Sequence, residues 1–393
     1  PNYSENDATM AYTFYRLFHR AENIFLIYTT SPSGIGKSEK SRFLTQIEAE
    51  FVNMPHIELT HRYLSLELPE ENGEKVEIEK EEKIVQKIEN YLEKGITPSY
   101  INMYIHNPLE FFYRKILALK QPQEIEEHFL TNTFGTIVHQ FLENKLQNFI
   151  GKEICPDDLK AIYTDEARVR IEIEKIAKEE KGGIVLDTGK NYLLKHIAFY
   201  LVTTFLKRQE AETPYFLVNQ ENTLEWTFQV MHQEKPLNVR LFGKTDRIDI
   251  YKQSIRIVDY KTGNYISSNL KAKNEEELLL NTEKGKVIQL LLYKYLLIRN
   301  LQSQQIRNLP DTCNPEIWLN NHKNFIKSGF YFFRKIDDGF IEYKLDNEPD
   351  EVGEFLGYVE NFVGQIVLDM LDQNKTFSEN VPDFGLEVLD KLL

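Results

Sequence analysis

Cysteine is almost missing: Cys155 and Cys313 are the only two, far apart, which excludes a disulfide framework, a four-Cys zinc site and an iron–sulfur cluster and fits a reducing, intracellular setting. Long apolar runs are missing too. None reaches the ~18 residues of a membrane span, and no succession of charged, apolar and small-residue regions marks a secretory leader. The first residue is Pro1 rather than Met, as in a piece of something longer. Positive charge is in deficit, with 47 Lys and Arg against 61 Asp and Glu and a net charge of −14. A nucleic-acid partner would therefore have to meet a local basic surface. What the chain does have is a folded composition, 41% apolar and 27% charged over 393 residues, enough for two or three domains at ~150 residues each. Its 21 Tyr and 25 Phe point to an aromatic-rich interior.

Residues 11–28 read as a helix followed by a short apolar strand, 39–50 as a helix, and 56–68 alternate as a strand. The stretch 67–83 carries eight Glu against three Lys around a Gly, the most linker-like composition in the chain. The expected organisation is 1–66, an acidic linker and helix over 67–95, and a larger domain over 96–393. Helical patterns dominate from Ile96 to Glu210, where Thr97-Pro98-Ser99 opens one helix and Phe134, Ile137, Val138, Phe141, Leu142 and Phe149 stripe another. Strand character follows in 223–230, 239–251 and 254–262, then an apolar helix over 284–300, a hairpin over 328–345 and a helix over 351–373. The expected fold is α/β: a mixed sheet built on the 224–262 strands, flanked by the His139 and Gln289 helices, with a helical insertion over 155–210.

The chemistry-bearing signal is IVDYKTG at 257–263. Period-two geometry puts Ile257, Asp259 and Lys261 on one strand face and Val258 and Tyr260 on the other. A lone D-x-K is as readily an ion pair at a strand end, so its company decides. One hairpin earlier, GKTDRID at 243–249 supplies Asp246, and two carboxylates from neighbouring strands are oxygen donors of the kind Mg²⁺ prefers. Apolar parity changes between Leu241 and Ile248, which predicts a bulge near Gly243 that re-aims Asp246. Gly135 and His139 sit i,i+4 on one helix and Gln289 and Tyr293 on another. Glu225, on the preceding strand, is a candidate further acidic ligand or base. Residues 239–273 hold eight Lys or Arg against three Asp, a local +5 that could track a phosphate backbone.

In chain order, G-x-x-x-H, E, G-x-x-D-R-I-D, D-Y-K-T-G and Q-x-x-x-Y resemble the RecB-type branch of the PD-(D/E)XK nuclease superfamily over residues 96–375. The segment ITPSYINMYIHNPLEFFY is similar to the helix that opens AddB-type nuclease domains, except that Asn107 stands where many relatives carry a Cys of an iron–sulfur staple. A cluster-free version is therefore expected. Residues 10–50 resemble the last motor motif of a UvrD/AddB-like helicase, a shorter match that implies a small helicase-derived segment before a restriction-endonuclease-like core. The resemblance implies that Asp246 and Asp259 hold Mg²⁺ or Mn²⁺ together with His139 and the backbone carbonyl of Tyr260. Lys261 would position the attacking water and help to deprotonate it, and Gln289 and Tyr293 would contact DNA or brace Lys261. It further implies a deoxyribonuclease, an exonuclease on single-stranded or duplex ends, working with a helicase–nuclease partner subunit in double-strand-break repair and recombination. Its place would be the bacterial cytoplasm beside the nucleoid, with no membrane partner.

Two decoys compete. SPSGIGKS at 31–38 nearly spells a phosphate-binding loop, but Ser31 replaces the first Gly and Pro32 removes an N–H. A strand would separate His56 and Glu58 from His61, on opposite faces. The alternative functions are a catalytically inactive nuclease-fold scaffold or DNA-binding module, favoured by the missing cluster cysteines, and a nucleotide hydrolase working through Lys37.

Overall fold

The computed structural model describes residues 3–28, 40–51, 54–62, 76–119, 131–180 and 189–379. The chain divides into two compact units, residues 1–73 and 74–393.

The first unit contains α1 (Tyr3–Arg16) and α2 (Arg42–Glu50). Phe14 stacks on Phe43 with ring centroids 4.9 Å apart, and Tyr15 packs its ring against Phe43 and Phe51. Neither expected strand forms among the described residues: 24–28 and 57–62 make no ladder, and the remainder of the expected 56–68 strand, 63–68, lies outside the described residues. Phe25 is 85% and Ile27 89% exposed. Alternation marks which side chains a strand would bury, but a strand exists only where a second backbone meets its N–H and C=O groups. The loop at 31–38 lies outside the described residues.

The second unit runs β1 (Ile78–Glu79), α3 (Glu82–Lys94), α4 (Pro98–His106), α5 (Pro108–Phe111), α6 (Thr131–Leu146), β2 (Lys152–Ile154), α7 (Pro156–Thr164), α8 (Glu166–Glu180) and α9 (Gly189–Glu210). Then come β3 (Tyr215–His232), β4 (Lys235–Tyr251), β5 (Ser254–Lys261), β6 (Lys271–Ala272), α10 (Glu275–Leu280) and α11 (Gly285–Gln302). The last elements are α12 (Pro315–Asn320), α13 (His322–Phe325), β7 (Ile326–Phe332), β8 (Ile341–Glu342), β9 (Lys344–Leu345), α14 (Val352–Leu371) and β10 (Thr376–Phe377).

Six strands form one mixed sheet in the order β2-β3-β4-β5-β7-β8, antiparallel except for the β5–β7 pair. Sequential hairpins make β3, β4 and β5 antiparallel, and the parallel step needs the long crossover through α11 that separates β5 from β7. Both faces are covered. Ile255 and Ile257 of β5 pack into a core shared with α3, α4, α11 and α14, while Val258 and Tyr260 pack into a second core with α6, α8 and α9. The α/β expectation, helical insertion included, therefore describes this unit. The 301–327 stretch, for which the sequence suggests no element, forms α12 and α13.

The β3–β4 hairpin turns on Gln233 and Glu234, both left-handed (φ 48° and 64°), without the Asn or Gly that usually announces such a turn. From it the register runs past Gly243, opposite Leu224, so the bulge expected there is absent. The irregularities lie further on, at Glu221 with φ 47° and in a register shift between Leu217 and Asn219. Gly243 has a different reason to be glycine: a Cβ there would lie 2.5 Å from the Tyr293 ring.

Candidate active site

Strands β4 and β5 pair from Tyr251↔Ser254 up to Arg247↔Val258. One residue beyond, the Asp246 side chain takes over: its Oδ2 accepts the Tyr260 N–H at 2.6 Å. The splayed ends of the two strands thus hold a carboxylate where the ladder would have held a carbonyl. On β5 the expected alternation is realised, and Lys261 Nζ lies 2.7 Å from Asp259 Oδ2. From α11, Gln289 Nε2 donates to Asp259 Oδ1 at 2.8 Å and to Tyr293 Oη at 3.3 Å, and Tyr293 Oη donates to the Lys244 carbonyl at 3.0 Å. Gln289 and Tyr293 therefore brace Asp259 and β4, rather than Lys261 itself.

His139 enters from α6. Its Nε2 is 3.0 Å from the Tyr260 carbonyl and its Nδ1 is 3.4 Å from Asp246 Oδ1. With an acceptor facing each nitrogen, the imidazolium is the form that satisfies both. Burial disfavours that charge, yet the hydrogen bond and charge of Asp246, with Asp259 behind, outweigh it and hold the His139 pKa above its ordinary value. Burial lifts the Asp259 carboxyl to about 6, opposed by the Lys261 ammonium and reinforced by Asp246. Lys261 is itself penalised by burial but kept charged by Asp259, so its pKa rises.

Glu225 is not part of this cluster. It faces Phe242 across the hairpin and pairs with the Arg240 guanidinium, which also donates to the Lys94 carbonyl at 2.7 Å. The acid that β3 does contribute is Glu221, one residue from each of the pairs Asn222↔Thr245 and Gln220↔Arg247, and so across from Asp246. His139, Glu221 and Asp246 offer ligand atoms all within 4.8 Å of one another. Burial raises the Glu221 pKa, Lys244 at 2.5 Å lowers it, and Asp246 adds to the rise. The signal for Glu221 was present: counting outward from a two-residue turn at 233–234 places it across from Asp246. That turn carries no Gly or Asn to announce it.

The local +5 of 239–273 is not one basic surface. Arg247 and Arg256 are buried against Asp249, and Arg240 and Lys244 pair with Glu225 and Glu221. Lys261 faces the site, and Lys252, Lys271 and Lys273 are exposed. The decoy residue His61 sits 3.6 Å from Glu48, as an ordinary surface contact. No helix among the described residues is long and apolar enough to cross a membrane.

Carboxylates, a main-chain carbonyl and one imidazole, converging beside a lysine, are a donor set that suits a hard divalent cation. Similar curated proteins are an uncharacterized protein of Rickettsia felis, 27% identical over 206 residues (51% of this chain, 21% of that protein), and one of Rickettsia typhi, 26% identical over 216 residues (53% and 23%). A third, of Rickettsia conorii, is 26% identical over 220 residues, 55% of this chain and 23% of its own length. The matched stretch thus spans less than a quarter of those relatives. A model of the PD-(D/E)XK nuclease superfamily matches residues 95–363, a span that takes in α6, the β3–β5 hairpins and α11. The chain belongs to the PD-(D/E)XK nuclease superfamily.

Proposed function

We propose that the second unit hydrolyses DNA phosphodiester bonds with Mg²⁺ or Mn²⁺ held by Asp246, Asp259, His139 and the Tyr260 carbonyl, with Glu221 in the place first assigned to Glu225. The observation that carries this reading is the meeting of Asp246, Asp259 and Lys261 at one end of the β4–β5 pair, with His139 against both Asp246 and Tyr260. When bound, the cation supplies Lewis acidity, acidifying water and offsetting phosphoryl charge. Lys261, held by Asp259, keeps a fixed positive charge beside the water it orients, in a partly dry site where such a charge acts strongly. Gln289 keeps Asp259 turned toward the site, and Tyr293 ties α11 to β4.

The finer reading is a RecB/AddB-like exonuclease domain without an iron–sulfur cluster, preceded in residues 1–66 by the end of a helicase-like motor and joined to a partner subunit in double-strand-break repair in the bacterial cytoplasm. It is supported by the order of the five sequence elements and by relatives several times longer than the matched stretch. The test is degradation of end-labelled single- and double-stranded linear DNA with Mg²⁺, Mn²⁺ or EDTA, for wild type, Asp259→Ala and Lys261→Ala. Metal-dependent loss of label that both substitutions abolish supports hydrolysis at this site. DNA binding without cleavage by the wild type favours the inactive scaffold.

A further inference from the structure

Two members of the DRID segment, Arg247 and Asp249, have no role in the site described, yet they are among the most deeply buried charged residues, at 1% and 0% exposure. The Arg247 guanidinium lies over the rings of Tyr215 (5.0 Å), Tyr331 (5.7 Å) and Tyr260 (5.8 Å). It is ion-paired with Asp249, Nε lying 2.8 Å from Oδ2, and donates to Gln209 Oε1 at 2.9 Å. The Tyr260 hydroxyl has no hydrogen-bond partner among the described residues. The cation over its face, with the packed rings of Phe205, Phe333 and His139, contributes to holding that side chain.

Consecutive residues of β4 thus grip one residue of β5 from two sides. Asp246 takes the Tyr260 N–H, His139 takes its carbonyl, and Arg247 holds its ring. We infer that Arg247 is a positioning residue: its buried guanidinium fixes Tyr260, and through Tyr260 the spacing of Asp246 and His139 on which divalent-ion binding depends. The functional half of this inference rests on the nuclease reading; the structural half does not. Buried at 1%, Arg247 cannot touch DNA, so it acts on the site indirectly, and of the three rings beneath it Tyr260 is the one whose backbone bonds Asp246 and His139.

Arg256 is the control. It is bonded to the same Asp249 at 2.7 and 3.1 Å and is as deeply interior, but its guanidinium lies over Tyr251 and Phe340, away from Tyr260. Because either arginine leaves Asp249 with the other as partner, Arg247→Met and Arg256→Met each spare the carboxylate from isolation. The experiment measures amide hydrogen exchange at Tyr260 in the metal-free full chain, Mn²⁺ affinity by calorimetry, and kcat and KM on linear DNA. Arg247→Met is expected to speed Tyr260 exchange, weaken Mn²⁺ binding about tenfold, as losses behind a metal ligand do, and lower kcat with KM unchanged. Arg256→Met is expected to leave Tyr260 exchange and Mn²⁺ affinity as in wild type. Unchanged exchange and affinity in Arg247→Met, or equal loss in Arg256→Met, overturns the inference. If the wild type binds no Mn²⁺ while Arg247→Met still speeds Tyr260 exchange, the positioning role stands and the nuclease reading falls. Should Arg247→Met not fold, Gln209→Ala, which removes one guanidinium partner, takes its place with the same expected direction.

Discussion

Gly243→Ala is a one-carbon test of how β4 and α11 are joined. The added Cβ would lie 2.5 Å from Tyr293 Cε1, 3.1 Å from its Cδ1 and 3.5 Å from Leu296 Cδ1. The ring cannot simply swing aside, because Tyr293 Oη is tied to the Lys244 carbonyl and takes a hydrogen bond from Gln289. Overpacking of this kind destabilises by roughly 1–3 kcal/mol, while replacing a strand glycine with alanine returns about 0.5–1 kcal/mol through the unfolded chain. The expected net loss is about 0–2.5 kcal/mol. Displacing Tyr293 also loosens Gln289 and with it Asp259, so nuclease activity is expected to fall further than stability alone explains. In a Tyr293→Leu background the clash is gone, and Gly243→Ala is expected to be neutral or stabilising, giving a coupling of at least about 1 kcal/mol in the double-mutant cycle. Denaturant unfolding of the four proteins measures it. Additive effects would refute the reasoning, since they would mean that the Gly243 surface and the Tyr293 ring do not meet.

The other expectations are shorter. Glu221→Gln should weaken Mn²⁺ binding measured by calorimetry about tenfold, whereas Glu225→Gln should leave it unchanged; the reverse pattern would restore Glu225 to the site. Asp249→Ala strands the buried Arg247 charge, while Arg256 keeps Glu212 at 3.5 Å, and is expected to destabilise by about 3–5 kcal/mol in denaturant unfolding. With Asp259 lifted to about 6 from its ordinary 3.8, the folded metal-free chain binds a proton there that the unfolded chain has lost. Stability from this group is therefore highest below pH 4 and declines as pH rises through 6, by up to about 3 kcal/mol. In EDTA, wild type should lose more stability between pH 4.5 and 7 than Asp259→Asn, and a parallel pH profile of the two proteins would contradict the assignment.

Much of the site was legible because period-two and 3.6-residue geometry are local. Asp259 and Lys261 had to share a strand face, and Gly135 with His139 and Gln289 with Tyr293 had to share helix faces, whatever the rest of the chain did. The sheet-and-helix architecture followed from the same patterns. What local geometry does not contain is which backbones meet. The apolar run at 24–28 looks like a strand but finds no partner among the described residues. A basic stretch looks like a surface until tertiary packing buries Arg247 and Arg256 under tyrosine rings. Glu225 and Glu221 are four residues apart on the same strand, chemically alike, and only hairpin register chooses between them. The sequence by itself determined that Asp259 and Lys261 share a strand face and that Gly135 and His139 share a helix face, while the bulge expected to aim Asp246 is absent. Tertiary structure alone decided that Glu221 joins Asp246 and His139, that Gln289 braces Asp259, and that Arg247 grips Tyr260, because each depends on a contact between elements whose register and packing no single stretch of chain encodes.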